Sequence, residues 1–215
     1  MSLTPKPSSD RKLSDVTKHL VIPSGIETTE WPILEGHLER LEWPLDPWQV
    51  GLCTVATGLR ADGKYACGVG GMVLSIPRQV GKTYTIGGLV FALCMAKPDT
   101  LVLWTAHRAR THNETFRDMA SKAESNAVKP FISHVRRSNG EQEVEFTNGS
   151  RILFGARENG FGRGFKKVDI LLLDEAQSCA DWQPAKKLDY DLSPQRLEEI
   201  EEDIRTIAKL IRDRP

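Results

Sequence analysis

Short aliphatic runs alternate with longer helical stretches along most of the chain. The runs at 69–76, 101–105 and 170–173 have the length and composition of strands buried in a sheet. Residues 83–96, between the first two runs, predict a buried helix, and residues 108–124 predict a polar helix on the surface. This order of strands and helices predicts an α/β fold with a largely parallel central sheet.

A different pattern occurs at 143–146 and 151–154, where apolar and polar side chains alternate. A period of two is typical of a strand with one buried and one exposed face. Asn148-Gly149 lies between the two segments, and this dipeptide favours the tight turn of a hairpin because both residues accept left-handed backbone. The pattern therefore predicts an antiparallel hairpin before the last strand.

The beginning of the chain has no clear hydrophobic period. Residues 1–10 are rich in Pro and Ser, which predicts a disordered lead. Pro32 and Pro44 each follow a tryptophan, and because proline restricts the residue before it, we expect no helix in 11–45. We therefore interpret 1–40 as an N-terminal extension.

Asp46 and Pro47 mark a helix start. An aspartate at the N-cap can accept a hydrogen bond from the first turn, and proline is favoured at the first helical position because no partner is needed there for its missing N–H. The sequence predicts a helix over 48–57, ended by Gly58. This helix opens the predicted core domain, 41–185.

The end of the chain, 186–215, predicts an amphipathic helix. Its apolar residues repeat at intervals of three and four, as in two heptads: Leu197, Ile200, Ile204, Ile207 and Ile211. Because a helix of this length is marginal in water by itself, the stripe needs a surface to pack on. We favour packing on the core, and pairing with another chain is the alternative.

Composition narrows the possible classes of protein. The charge is balanced, with 29 Lys+Arg against 29 Asp+Glu, which excludes a polycation that binds through bulk charge. The four cysteines are far apart and form no CxxC pair, so the sequence indicates a reducing compartment and no zinc site. Neither a signal peptide nor an apolar stretch long enough to span a membrane is present in the sequence. We expect a cytoplasmic protein with no membrane contact.

The segment PRQVGKT at 77–83 has the features of a phosphate-binding loop between a strand and a helix. Backbone N–H groups of such a loop hold phosphate, a lysine reaches the β- and γ-phosphates of ATP, and the next hydroxyl binds Mg²⁺. Ile76 occupies the position usually held by the first glycine of this motif, and an ordinary turn is the alternative. The candidate nucleotide-binding residues are Arg78, Gln79, Val80, Gly81, Lys82 and Thr83.

Asp174 and Glu175 directly follow the last predicted strand. A carboxylate at a strand end can help to hold Mg²⁺, and the adjacent glutamate can orient and deprotonate an attacking water. The alternative is a pair of acids that caps the next helix. With the phosphate loop, the pair predicts ATP hydrolysis with Thr83 and Asp174 as the metal residues and Glu175 as the catalytic residue.

The combined motifs resemble the large terminase subunit of tailed bacteriophages over roughly residues 40–180. They are WQ at 48–49, PRQVGKT at 77–83, LWTA at 103–106, NGS at 148–150, GRG at 162–164 and LDEAQ at 173–177. The resemblance implies a P-loop NTPase of the additional-strand, catalytic-glutamate type, with ATP and Mg²⁺ as cofactors. It also implies a ring of copies of this chain that drives double-stranded viral DNA into a procapsid in an infected bacterial host cell. A portal and a small terminase subunit are the further partners it implies.

Three residues receive roles from this resemblance. Gln49 matches a residue that reads the N6/N7 edge of adenine, and a solvent-facing helical glutamine is the alternative. Arg78 matches a basic residue that senses the γ-phosphate, with a structural salt bridge as the alternative. Arg163 matches an arginine finger supplied by a neighbouring subunit, where a guanidinium can neutralise charge in the transition state; otherwise GRG is a flexible basic loop.

The sequence departs from the family after Gln177. In this class of ATPases another strand follows the DEAQ segment and carries a Ser/Thr-rich coupling motif, but no apolar run of strand type follows here. Either another segment fills that place in the sheet, or the sheet is incomplete. A full large terminase also continues into a nuclease domain, which we do not expect in this chain.

Two other functions remain open from sequence. A DExx-box helicase of the second superfamily shares a Q motif and the GKT and DE-A-Q segments. It also carries a Ser-Ala-Thr motif and a second RecA-like domain, which the sequence does not show. A non-catalytic assembly fragment is the other alternative, in which the C-terminal stripe drives dimerisation and the nucleotide site is vestigial.

Overall fold

A computed structural model describes residues 10–68, 71–77, 80–138, 140–156, 161 and 167–174. The chain divides into two compact units, Met1–Ala96 and Lys97–Pro215. The domain boundaries predicted from sequence at 40/41 and 185/186 stay predictions. The predicted C-terminal helix lies outside the described residues.

Unit 1 is mainly helical. Its helices are α1 (Leu13–Val16), α2 (Trp31–Arg40), α3 (Pro47–Ala56) and α4 (Lys82–Ala96). Two short strands, β1 (Thr28–Thr29) and β2 (Gly58–Leu59), pair antiparallel. The helices predicted over 48–57 and 83–96 are confirmed to within one residue at each end.

The prediction that 11–45 contains no helix is wrong, because α2 lies there. Pro32 is in the first turn, where its missing N–H removes no helical hydrogen bond. Leu34 and Leu38 are buried on the face that packs on α4. Close packing is possible because Gly88 of α4 has no side chain: a Cβ there would lie 3.0 Å from Trp43 Nε1 and 3.3 Å from Leu38 Cδ2.

The α2 helix ends in a Schellman motif. Trp43 N donates to Leu38 O at 3.0 Å, and Glu42 N donates to Glu39 O at 3.1 Å, which satisfies two carbonyls of the last turn. Glu42 has φ 48°, the left-handed conformation that this motif requires. Glycine is the usual residue at that position because it has no Cβ to clash.

The described residues of unit 2 form a five-stranded sheet and one long helix. In chain order its elements are β3 (Leu101–Ala106), α5 (Ala109–Ala123), a 3₁₀ turn (Lys129–Phe131), β4 (Ile132–Arg136), β5 (Gln142–Phe146), β6 (Arg151–Ala156) and β7 (Ile170–Leu173). The strand order is β4-β5-β6-β3-β7. Strand β3 pairs parallel with both β6 and β7, whereas β4, β5 and β6 form an antiparallel meander. The observed fold is therefore α/β with a mixed sheet.

Most of the elements predicted for unit 2 are present. The strands predicted at 101–105 and 170–173, the helix at 108–124 and the hairpin around Asn148-Gly149 are confirmed. Strand β4 was not predicted, and its antiparallel pairing makes the sheet less parallel than expected.

The strand predicted at 69–76 is not observed in the part of it that the structure describes. Residues 71–77 have no regular secondary structure. Met72 and Val73 are 39% and 57% exposed, so this apolar segment is not buried among the described residues.

Aromatic rings join α5 to the sheet. Phe154 of β6 lies between two other rings, with centroid distances of 5.3 Å to Phe116 of α5 and 5.7 Å to Trp104 of β3. All three side chains are at most 3% exposed. Burial of such large apolar surfaces, with one stacked and one edge-on ring pair, stabilises this layer.

A group of hydrogen bonds, which we call the turn cluster, joins the hairpin turn to the start of β3. Ser150 Oγ donates to Lys97 O at 2.8 Å and accepts from Thr100 N at 3.2 Å. Asp99 N donates to Asn148 O at 3.3 Å, and Gly149 (φ 86°) leaves no room for a Cβ beside the Asp99 carboxylate. Ser150 is fully buried, so the cluster forms part of the interior of unit 2.

The described part of the chain contains three cysteine thiols and no membrane-spanning helix. Cys53 and Cys94 are buried and Cys67 is half-buried. Burial raises the pKa of the Cys53 thiol to about 12, so this thiol stays protonated near neutral pH. None of the helices there is long and apolar enough to cross a membrane.

Candidate functional site

The second half of the predicted phosphate loop lies at the start of α4. Gly81 precedes the helix with φ 89°, and Lys82 and Thr83 are its first two residues. Thr85 N donates to Gly81 O at 2.9 Å, which closes the first helical turn. The N-terminus of a helix carries partial positive charge and free N–H groups, so this end of α4 can bind a phosphate group. Arg78 and Gln79 lie outside the described residues.

Tyr84 fixes the first turn of α4 in unit 1. Its hydroxyl donates to Pro44 O at 3.0 Å, and its ring lies 5.4 Å from that of Trp43. Burial raises the pKa of Tyr84, and the nearby charge of Asp46 raises it further. The hydroxyl therefore stays protonated as a donor at neutral pH. No local sequence pattern indicates this contact, because the partner of the GKTY segment lies forty residues earlier.

Gln49 does not occupy the solvent-facing position that was the alternative interpretation of the sequence. It is only 5% exposed, so it is not a solvent-facing residue. Its Oε1 accepts from Asp46 N at 2.7 Å, in a capping box that begins α3, and its Nε2 donates to Thr85 Oγ1 at 2.6 Å. Its Nε2 also lies 3.1 Å from where a Cβ of Gly81 would be. Adenine reading by Gln49 stays a prediction.

Asp174 directly follows β7, at the carboxyl end of its parallel pairing with β3. Its backbone N donates to Thr105 O at 2.8 Å, and Thr105 Oγ1 donates to Leu172 O at 2.8 Å. These two bonds hold the residue at the strand end, and Asp174 is half-buried. The carboxyl ends of parallel strands are where ligands of open α/β sheets bind. Glu175 lies outside the described residues.

Phe161 is the described residue nearest to the predicted finger segment, 162–164. Its ring lies against Gly155 of β6, so closely that a Cβ at Gly155 would overlap the ring. Gly155 is thus the position that admits the aromatic ring. Arg163, two residues after Phe161, lies outside the described residues, and its role stays a prediction. The sequence signal for this contact is a glycine directly after the predicted strand 151–154, because a glycine in or beside a strand often marks a close approach of another segment.

The oxygen donors expected for Mg²⁺ are the Thr83 hydroxyl and the Asp174 carboxylate. Both are oxygen ligands of the kind that Mg²⁺ prefers, and Mg²⁺ usually takes few protein ligands besides water and phosphate. Among the residues the structure describes, no group of three or more His, Cys, Asp or Glu could hold a metal ion by itself. Both assignments stay predictions.

Comparison with known proteins places the chain in a family. The family model "Terminase large subunit, T4likevirus-type, N-terminal" matches residues 73–189, which is more than half of the chain. The chain belongs to this terminase family. No curated protein matches it.

A solved structure is similar in fold to this terminase chain. It is the crystal structure of the HK97 bacteriophage large terminase, with a TM-score of 0.52 and 18% sequence identity over 70% of the present chain. At this identity the likeness shows the fold alone. The present chain covers 32% of the length of the HK97 protein.

Most predicted site residues of this terminase chain lie inside the matched range of 73–189, including the phosphate loop, Arg163, Asp174 and Glu175. Gln49 lies before that range, so the family match does not include it. Its proximity to Thr85 and Gly81 is known from the structure alone.

Proposed function

We propose that this terminase chain hydrolyses ATP and belongs to a motor that drives double-stranded viral DNA into a procapsid. The match of the terminase model to 73–189 carries this proposal, because that range contains both the phosphate loop and the acidic pair. The start of α4 at Lys82 supports phosphate binding there, because the N-terminus of a helix carries partial positive charge. The family match does not favour the helicase or the non-catalytic assembly fragment.

The proposed chemistry gives each residue one task. Lys82 and the N–H groups around Gly81 bind the phosphates, and Arg78 senses the γ-phosphate. The Thr83 hydroxyl and the Asp174 carboxylate would hold Mg²⁺, which neutralises phosphate charge when bound. Glu175 would orient the attacking water and accept its proton.

We propose the additional-strand, catalytic-glutamate P-loop fold for the ATPase core. Two features support it: β7 lies parallel to β3 in the sheet, and an acid stands directly after β7. The contacts of Asp174 N and Thr105 Oγ1 fix that acid at the strand end, as the proposed chemistry requires.

The proposed motor acts as a ring of copies of this chain. In such a ring Arg163 of one copy would reach the ATP of its neighbour and neutralise charge in the transition state. Double-stranded DNA is the proposed substrate for translocation, and a portal and a small terminase subunit are proposed partners. The GRG segment at 162–164 supports the finger because glycines on both sides allow the arginine to extend.

Variants of the whole chain test the proposal. Lys82→Ala should abolish binding of MgATP in titration calorimetry, because the charge that holds the β- and γ-phosphates is removed. Glu175→Gln should still bind MgATP but should lose hydrolysis, measured as phosphate release with and without double-stranded DNA. Lys64→Ala is the matched control, since Lys64 is an exposed lysine of unit 1 that pairs with Asp62.

The proposal predicts how these variants differ in MgATP binding and in turnover. Wild type and Lys64→Ala should bind alike, and only Glu175→Gln should separate binding from turnover. Equal affinity of wild type and Lys82→Ala for MgATP would show that the GKT segment is an ordinary turn.

A further inference from the structure

A loop near the start of unit 1 exposes three consecutive apolar side chains. We call this loop, residues 17–26, the arm loop. Leu20, Val21 and Ile22 are 41%, 92% and 49% exposed. A single exposed apolar side chain is ordinary, but three in succession form an apolar patch, and such patches favour contact with another surface.

The structure fixes the chain on both sides of the arm loop. Before the loop, Leu13 of α1 packs on α3, where a Cβ at Gly51 would lie 3.0 Å from Leu13 Cβ. After the loop, Glu27 N donates to Leu59 O at 2.8 Å, and β1 pairs with β2. The three apolar side chains are therefore presented on a loop that is tethered at both ends.

Unit 1 also contains a pocket of about 370 Å³, which we call the acidic pocket. It is lined by residues of α2, of the segment that follows α2 and of α3. Its apolar lining is most open at Pro44, Leu45 and Val50, which are exposed or half-buried. The volume is at the small end of the usual range for ligand pockets, about 300–1,000 Å³, and it suits a few side chains.

Three exposed glutamates complete the lining of the acidic pocket: Glu35, Glu39 and Glu42. Glu35 and Glu39 are four residues apart on α2, so they lie on one face of the helix, where like charges repel. None of the ion pairs within the described residues includes any of the three. A basic partner would relieve this repulsion.

The arm loop has the chemistry that the acidic pocket lacks. Lys18 and His19 directly precede Leu20, and residues 17–26 contain no aspartate or glutamate. An apolar segment with basic neighbours is complementary to an apolar pocket with an acidic rim. Because the side chains of Leu20, Val21 and Ile22 are exposed, they do not fill the pocket of their own chain.

We propose that the arm loop of one copy of this chain docks in the acidic pocket of a second copy. The two surfaces are different, so the contact is head-to-tail, and a contact of this kind can close into a ring. The inference rests on the proposed function in one respect, the association of copies in a ring, and it does not require ATP hydrolysis. It assigns to that association a loop and a pocket that no motif indicated.

Sedimentation velocity of the whole chain, over a wide range of protein concentration, tests the inference. The mean mass of wild type should rise with concentration. Val21→Asp should weaken association by about tenfold or more, because an apolar contact is lost and a negative charge faces the glutamates. The double variant Glu35→Lys, Glu39→Lys should do the same. Ile33→Asp is the matched control, since Ile33 is 64% exposed on α2 but does not line the pocket.

Mixing the two defective variants separates this contact from any other. Val21→Asp keeps its pocket, and Glu35→Lys, Glu39→Lys keeps its arm loop, so each pair of unlike chains has one intact contact. An equal mixture should therefore form dimers of unlike chains and nothing larger, while each variant alone stays monomeric. High salt should weaken the contact, because exposed charges are screened.

Melting temperatures identify a variant that fails to fold, and Lys18→Glu then decides. This change at an exposed residue should weaken association, and Glu39→Lys in the same chain should restore it, since the charge pair is reversed. Absence of this restoration would overturn the inference.

Three further results would overturn it: a wild type that stays monomeric, association of Val21→Asp equal to that of wild type, and no dimers in the mixture. Association through the C-terminal stripe would give the second result. The proposed hydrolysis of ATP is judged separately, because Val21→Asp should bind MgATP as wild type does. A failure of Lys82→Ala to lose MgATP binding would contradict that hydrolysis and leave the docking contact in place.

Discussion

Gly155 has no side chain where the Phe161 ring needs space. A Cβ at this position would overlap the ring, and Gly155 itself is buried. We predict that Gly155→Ala lowers the free energy of unfolding by about 1–3 kcal/mol, the usual cost of overpacking. Denaturation in urea, followed by circular dichroism, measures it.

Gly36→Ala is the control for this substitution. Gly36 is inside α2, and a Cβ there would have no atom within 4 Å. Alanine should stabilise the helix by about 0.5–1 kcal/mol, because glycine is the poorer helix former. If both alanine variants change stability by the same amount and sign, the contact between Gly155 and Phe161 has no energetic importance.

His37 makes the stability of the protein depend on pH. Burial lowers the pKa of His37, and the charge of Arg40 lowers it further, while Nδ1 is buried without a hydrogen-bond partner among the described residues. The native state therefore binds fewer protons than the unfolded state, whose histidine titrates near about 6.5. Stability from this group is complete above that pH and is lost as the pH falls below it.

Unfolding in urea at pH 8, 7, 6 and 5 measures this dependence. We expect His37→Gln to reduce the fall in stability between pH 7 and 5, and His19→Gln, a change at an exposed histidine, to leave it as in wild type. A pH profile of His37→Gln that matches wild type over this range would contradict the prediction.

Residue types indicated the chemistry of the candidate site, but not its contacts. The sequence identified the helix start at Asp46 and Pro47, but the capping box between Asp46 and Gln49 was not predicted. The bond from Gln49 to Thr85 joins residues 36 positions apart, and no local pattern encodes such a contact. The same is true of Tyr84 and Pro44.

At the scale of elements, the end of α2 contains a residue that the Schellman motif disfavours. Glu42 adopts φ 48°, which costs a residue with a Cβ about 1 kcal/mol or more. We predict that Glu42→Gly raises the free energy of unfolding by about 0.5–1 kcal/mol. Glu42→Ala removes the same carboxylate but keeps the Cβ, so it should give no such gain. Equal stability of these two variants in urea denaturation would refute the backbone explanation.

Local patterns predicted an element well when its cause was local. Helix α4 was predicted from its long apolar stretch, and the hairpin of β5 and β6 was predicted from its alternating pattern and the Asn148-Gly149 turn; these signals lie within the segments themselves. Helix α2 was missed because a proline in a first turn was interpreted as a helix breaker. Strand β4 was missed because only Ile132 and Val135 of its five residues are apolar.

The strand predicted at 69–76 is not observed in its described part for a different reason. An aliphatic segment becomes a strand only when a neighbouring strand accepts its hydrogen bonds, so strand propensity depends on context. Among the described residues, 71–77 has no such neighbour. The hydrophobic pattern of a segment does not show which strand will lie beside it.

At the scale of the whole molecule, the sheet of unit 2 combines near and distant pairing along the chain. The meander of β4, β5 and β6 joins neighbouring segments, whereas Leu101 of β3 pairs with Arg151 of β6, fifty residues later. The segments that form β3 and β6 were predicted as strands, but their pairing with each other was not predicted. Only the general preference for parallel strands in α/β folds was available.

The turn cluster around Ser150 has a consequence for the order in which the strands of this sheet pair during folding. A hairpin closes early because its loop is short, and pairing across fifty residues waits for a larger loss of chain entropy. Since the cluster lies where β3 begins, it is the place from which the parallel pairing of β3 with β6 can proceed. Ser150→Ala should therefore slow refolding more than it speeds unfolding, which stopped-flow chevron plots would resolve. A change confined to the unfolding rate would mean that β3 joins the sheet after the rate-limiting step.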